Sequence, residues 1–243
     1  MMNSPETTSD GPDGAQGATD MVLDTLKKEN LKATFFICGN IGFADLETDP
    51  IAQRQLKRIV AEGHAIGNHT YAHKNLSTLA TDAELEAAFS KLDAIYKKVL
   101  GPTAPVITTI RAPFGSPFQL DPQDTKRVAP VVTKYGVEVG WGMDPKDWSF
   151  DHFSSDPAVV NADVQAVIDS VQTLINNKQW GLILLHAVHV PSAKALPTVI
   201  KMLRDAGYHF VSVEDVIRSQ FGANSASIMA ANKAAGLTAG ATP

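Results

Sequence analysis

Two histidines four residues apart, His69 and His73, follow a short strand-like stretch of the chain. On a helical turn that spacing puts both imidazoles on one face, where they can offer nitrogens to one divalent ion. Asp10, in the tight turn Ser9-Asp10-Gly11-Pro12, can add a carboxylate. A His, His, Asp set leaves a coordination position open to water or substrate, which is what a catalytic rather than a structural zinc site requires. In isolation the same histidines also read as surface or core residues, and Asp-Gly-Pro as an ordinary loop.

Three later segments carry further chemistry. Arg111-Ala112-Pro113-Phe114-Gly115 and Asp144-Pro145-Lys146-Asp147-Trp148 each follow a strand-like run, and His186 ends the apolar run Leu182-Ile183-Leu184-Leu185. All three sit where barrel strands would end, the face on which barrel enzymes build their sites. Each has a plainer reading alone: a Pro-Gly turn with an exposed arginine, a solvated acidic loop with a half-buried indole, a hydrogen-bonded core histidine.

The elements that must position these residues alternate regularly. Helical spacing of Met21, Val22 and Leu26 is followed by the β-rich stretch from Ala33 to Cys38. A helix from about Pro50 to Ala61, a strand at Ala65-Ile66-Gly67 and a long helix opened by the capping box at Thr81 and Glu84 come next, the helix stopping at Gly101-Pro102. Val106 to Ile110, Val137 to Trp141, Gly181 to Leu185 and Phe210 to Val213 read as strands. Lys126 to Lys134, Asp163 to Ile175, Ala195 to Ala206 and Glu214 to Phe221 read as helices. Strands alternating with helices imply parallel strands with crossover helices, in a closed (β/α) barrel or an open doubly wound sheet. No GxGxxG opens the chain, which disfavours a dinucleotide fold. One domain over residues 1–221 is expected, with the Ala-, Ser- and Gly-rich residues 222–243 as an extension outside its core.

Composition narrows the function classes. The 243 residues are 44% hydrophobic and 19% charged, with every long apolar run broken by polar residues, so the pattern is globular and contains no membrane span. A formal net charge of -5 offers no basic face for phosphates, which argues against nucleic acid as a principal partner. The single cysteine, Cys38, follows the apolar run Ala33 to Ile37 and reads as a buried structural thiol. The opening Met1-Met2-Asn3-Ser4-Pro5 has neither a charged nor an apolar targeting region, so the expectation is a cytoplasmic protein or one whose export signal has been removed.

Taken in order, the segments resemble the polysaccharide deacetylase family, the carbohydrate esterases of NodB homology. That family's motifs have the forms T-F-D-D-G-P, H-[ST]-x-x-H, R-x-P-[YF]-G, D-x-x-D-W and L-x-H. Here they stand as Thr7 to Pro12, His69 to His73, Arg111 to Gly115, Asp144 to Trp148, and Leu184-Leu185-His186. The resemblance runs from Thr7 to about Phe221. It implies an α/β fold, a distorted (β/α) barrel of the NodB-homology type, with a divalent ion, usually Zn2+, held by Asp10, His69 and His73. It implies a hydrolase acting on C–N bonds of linear amides, a de-N-acetylase of peptidoglycan or chitin, with acetylated xylan as a further family substrate. His186 would be the general acid, Asp147 would hold its imidazolium, and the Phe114 backbone N–H would join the metal at the oxyanion. Trp148 and Leu184 would wall the acetyl pocket. The partner would be an N-acetylated glycan polymer of the cell wall, the protein a monomer, periplasmic or secreted after removal of an export signal.

The resemblance has departures. Where the family carries a first aspartate as general base, this chain has Ser9, whose hydroxyl is not basic near neutral pH. Arg111, which in the family pairs with that aspartate, is expected to lose its partner. Three explanations stand: an engineered substitution that traps substrate, a pseudoenzyme that only binds glycan, or another carboxylate such as Asp13 in the role. The stretch Asn3 to Thr8 is polar where a barrel strand should be apolar, and His189, outside the motif, is assigned a place beside the site or at the surface.

Overall fold

The computed structural model describes residues 17–41, 45–150 and 154–235. Ser9, Asp10 and Asp13 lie outside the described residues. Two compact units divide the chain. One holds residues 33–140 and the described part of 212–243, the other the described parts of 1–32 and 141–211.

The first unit is built on four parallel strands in the order β1-β2-β3-β4: β1 Thr34–Ile37, β2 Ala65–Asn68, β3 Thr109–Ile110 and β4 Val137–Glu138. Phe36 of β1 is in register with Gly67, Asn68 with Ile110, and Thr109 with Val137. Gly67 is required there, because a Cβ at this position would lie 2.4 Å from the Phe36 ring. Helix α2, Pro50–Ala61, starts on Asp49, whose carboxylate accepts the Ile51 N–H at 2.8 Å. It buries Ala52, Leu56 and Ile59, a helical stripe. Helix α3, Asp82–Leu100, starts on the capping box expected at Thr81 and Glu84. Helix α4, Pro122–Val132, begins one turn earlier than its apolar pattern because Asp121 caps it. Leu85 and Phe89 of α3 and Val128 and Val132 of α4 pack with Ile110 in one apolar cluster behind the strands. Such burial is worth roughly 1.5–3 kcal/mol per large side chain, the driving term of this layer.

Two further α-helices of this unit are α7, Val213–Phe221, and α8, Ser225–Ala234. The expected strand at Phe210 to Val213 does not form. Ser212 and Asp215 make a reciprocal capping box that draws Val213 into a helix, and Phe210 and Val211 are exposed. Within the segment read as an extension, Ser225 is buried, its hydroxyl oxygen lies 2.7 Å from Thr108 Oγ1, and both its hydroxyl and its N–H, the latter at 3.0 Å, donate to the Glu214 carboxylate. Helix α8 is thereby tied to the chain entering β3.

In the second unit, α1, Ala18–Lys28, and α5, Pro157–Asn176, both pack against α6, Val190–Asp205. Met143, Val167, Val171, Ala195, Val199 and Leu203 form its core. The run read as a strand over Gly181 to Leu185 contributes a single parallel bridge, Ile183 to Met143, with Leu184 N–H donating to Met143 O at 2.9 Å. Helix α6 begins at Val190, a turn before the apolar spacing announces it, since Pro191 fits the first turn of a helix. No helix among the described residues is long and apolar enough to cross a membrane.

Candidate active site

In the strand unit, the chain leaving β2 turns sharply. His69 and His73 are not on a helical turn: Thr70 and His73 both adopt left-handed backbone, with φ of 70° and 50°. That conformation is costly for residues with a Cβ and marks functional loops when the surroundings enforce it. Beside the Tyr71 N–H bond to Ala88 O at 2.6 Å, Asn68 helps to enforce it here. Its Oδ1 accepts the Thr70 N–H at 2.8 Å, and its Nδ2 donates to Phe89 O at 3.2 Å and Asp93 Oδ1 at 2.9 Å. Thr70 Oγ1 then accepts the His73 N–H at 3.1 Å.

The result is a facing pair of imidazoles. His69 Nδ1 lies 2.6 Å from the carbonyl oxygen of Arg111. A carbonyl can only accept, so Nδ1 carries the proton and Nε2 keeps its lone pair. Burial first, with the positive field of His73 and Arg111 also acting, holds the His69 ring well below the ordinary imidazole range, in the neutral form a metal requires. His73 Nε2 is 3.2 Å from His69 Nε2. Two nitrogen ligands at zinc bond lengths and a tetrahedral angle would stand about 3.3–3.4 Å apart. The histidine pair therefore fits a shared divalent ion, although it reaches this geometry through a strained loop and not through a helix face.

Arg111 is not left without partners. Its Nε donates to Val139 O at 3.0 Å and its Nη2 to Gly140 O at 3.1 Å, and its guanidinium lies 4.2 Å from the Phe36 ring centroid. Burial pushes this guanidinium down to about 10, with Glu138 acting against the shift. Phe114 sits in a tight turn with φ of 61°, its ring 4.7 Å from that of His73 and 59% exposed. The turn closes through Gly115 N to Ala112 O and Ser116 N to Pro113 O, both at 3.1 Å, so the Phe114 N–H is not consumed by it.

In the other unit, Lys146 adopts left-handed backbone, with φ of 56°, and turns the next residue inward. Asp147 is buried, its Oδ1 2.7 Å from His186 Nδ1. Its Oδ2 accepts the His186 backbone N–H at 2.7 Å and the Ser192 hydroxyl at 2.6 Å. Burial alone would raise this carboxyl, but the bonds from His186 and Ser192 win and hold it below the ordinary 3.8. Because Nδ1 donates to a carboxylate, Nε2 of His186 is the nitrogen left to exchange a proton with a substrate. Trp148 is half exposed and its Nε1 reaches Asp144 Oδ2 at 3.4 Å, while Leu184 is buried.

Among the described residues, Asp147, His186 and His189 have the mutual spacing of a possible metal site, with ligand atoms within 4.8 Å of one another. Their hydrogen bonding favours a different role. Both Asp147 oxygens are already engaged by three donors, one of them His186 Nδ1, so the group is a carboxylate-oriented histidine. Sequence reasoning missed Asn68 and Ser192. A lone Asn between the apolar residues of β2 and His69 was the signal for the first, and nothing local pointed to the second.

The family described as polysaccharide deacetylase matches residues 7–140. A peptidoglycan-N-acetylglucosamine deacetylase of Bacillus cereus is 31% identical over 217 residues, 88% of this chain and 67% of that protein. The peptidoglycan-N-acetylglucosamine deacetylase of Listeria monocytogenes is 27% identical over 86% of this chain, which spans only 38% of that longer protein. The crystal structure of a polysaccharide deacetylase from Bacillus cereus shares the fold, with a TM-score of 0.63 and 26% identity, over 85% of this chain and 90% of that one. With its histidine pair, its Asp-oriented histidine and these likenesses, the chain belongs to the polysaccharide deacetylase family.

Proposed function

We propose that the protein is a metal-dependent hydrolase that removes N-acetyl groups from N-acetylglucosamine units of peptidoglycan or chitin-type polymers. The observation that carries this reading is the pair of imidazole Nε2 atoms facing each other at 3.2 Å, in a chain with deacetylase relatives. Asp10, His69 and His73 would hold the ion. When bound, a divalent cation, zinc by the chemistry of the donor set, polarises the acetyl carbonyl and makes water nucleophilic near neutral pH. His186 gives a proton from Nε2 to the departing amine, and Asp147 stabilises the imidazolium that precedes it. The Phe114 N–H donates to the oxygen that gains charge as water adds. Trp148 and Leu184 bound the acetyl group. The mechanism needs no covalent intermediate on the chain.

Ser9 supports a second reading, a catalytically silent glycan-binding protein. Loss of a general base costs roughly 10²–10⁴ in rate, which a serine cannot restore. Because the polymers in question lie outside the cytoplasm, we place the working protein in the periplasm or outside the cell. Incubation with chitin and peptidoglycan oligomers, with acetate as the readout, separates the two readings. Acetate release supports the hydrolase. Oligomer binding with no release, even from Ser9→Asp, supports the silent binder.

A further inference from the structure

Two side chains outside every motif meet the Asp147–His186 pair, and both come from the start of α6. Ser192, in its first turn, is buried and donates to Asp147 Oδ2 at 2.6 Å. His189, the residue that caps the helix, lays its ring on that of His186, with centroids 5.2 Å apart and planes 23° from parallel. The chain between the two histidines is itself a closed turn, His189 N–H to His186 O at 3.1 Å. The first turn of α6 is thus joined to the pair by a hydroxyl, a ring face and the backbone.

The bonding of Asp147 shows what this does. A carboxylate held at one oxygen by a single donor can still swing about its own axis, and the other oxygen moves with it. Here Oδ2 takes two donors, a backbone N–H and a hydroxyl, from different directions. Rotation would break both bonds inside a buried site and leave their donors unsatisfied. The direction of Oδ1, and with it the line to His186 Nδ1, is therefore fixed from behind. On the imidazole side, the stacked His189 ring limits how far the His186 plane can tilt while its Nδ1 bond is kept.

We infer that the first turn of α6 is the positioning element of the acid: Ser192 sets the rotation of the Asp147 carboxylate and His189 sets the plane of the His186 ring. The inference rests on the proposed role of His186 as the proton donor. Neither residue touches the substrate in this account. Both act by keeping His186 Nε2 aimed, and misplacement of a catalytic group by about 1 Å costs on the order of 100-fold in rate.

Four single variants, each made alone and in a Ser9→Asp chain, test this: Ser192→Ala, Ser192→Thr, His189→Ala and His189→Phe. The first readout needs no turnover. Long-range 1H–15N correlation spectra of the histidine rings show which nitrogen of His186 carries the proton. The parent should show one Nδ1–H form, Ser192→Ala a mixture of both, and Ser192→Thr the parent pattern. The second readout is deacetylation of a chitin oligomer. Ser192→Ala and His189→Ala should lose about 10- to 100-fold in kcat with KM unchanged, while Ser192→Thr and His189→Phe recover most of it. A Ser192→Ala chain with the parent Nδ1–H signal and parent kcat would overturn the inference. So would a loss in the threonine and phenylalanine variants equal to that in the alanine variants, which is the mark of packing alone. If Ser192→Ala does not fold, the His189 pair decides by the same criteria. If no chain releases acetate, the proposed function fails, while the nitrogen spectra still judge the positioning.

Discussion

His186 Nδ1 stands 2.7 Å from Asp147 Oδ1, and the other oxygen of the same carboxylate takes the His186 backbone N–H. One side chain thus orients both the ring and the backbone that carries it. Asp147→Asn should keep the fold but lower kcat by about 10²–10⁴ with little change in KM, measured as acetate release in a Ser9→Asp chain. The carboxyl is held below 3.8, so its contribution to stability is present at higher pH and is lost as pH falls through the depressed folded value. Acid unfolding of the asparagine variant should therefore be less steep below pH 3.8. An unaltered acid transition contradicts the assignment.

Asn68 should matter to metal affinity without being a ligand. Asn68→Ala removes the bond that holds Thr70 and the two bonds to α3, loosening the loop that carries His69 and His73. Zinc affinity should fall by about 10- to 100-fold, as when partners that orient ligands are lost. Calorimetric titration measures it, and parent affinity in a folded Asn68→Ala chain contradicts the role given to this residue.

Glu138 is a half-buried liability of the same unit. Burial pushes its carboxyl up to about 7 from the ordinary 4.5, although the Ala112 N–H and Arg111 both act to lower it. The unfolded chain loses this proton near 4.5 and the folded chain only near 7, so the penalty is absent below 4.5, grows between the two values and is complete above 7. Glu138→Gln should raise stability above pH 7 by about 1–3 kcal/mol and leave it unchanged below 4.5. Urea midpoints at both ends decide, and equal shifts at both contradict the burial argument.

Gly67→Ala tests the layer beneath Arg111. The added Cβ would meet the Phe36 ring at 2.4 Å, and that ring carries the Arg111 guanidinium at 4.2 Å. Overpacking of this kind costs about 1–3 kcal/mol. A denaturation midpoint equal to that of the parent contradicts the packing described.

How much of this was legible in the sequence depends on where the physics is local. The capping box at Thr81 and Glu84 and the helix from Pro50 to Ala61 are local, and both form where the spacing puts them. The convergence of His69 and His73 is also written in the motif, but not its route, because left-handed φ at a threonine and a histidine leaves no trace in residue type. At Phe210 to Val213 two local signals compete, β-rich residues against Ser212 and Asp215, and the capping bonds win because they satisfy the helix's first N–H groups. Ser192 could not be read at all, since its partner Asp147 is 45 residues away and only packing brings them together.

Metal-dependent release of acetate is the property that the proposed function requires. The parent chain and Ser9→Asp should be stripped with a chelator, assayed on an N-acetylglucosamine oligomer, and assayed again after zinc is returned. Stripped protein should release no acetate, activity should return at one zinc per chain, and Ser9→Asp should turn over about 10²–10⁴ faster than the parent. Release that survives the chelator, or zinc-loaded Ser9→Asp that binds the oligomer and frees no acetate, would contradict the proposed function.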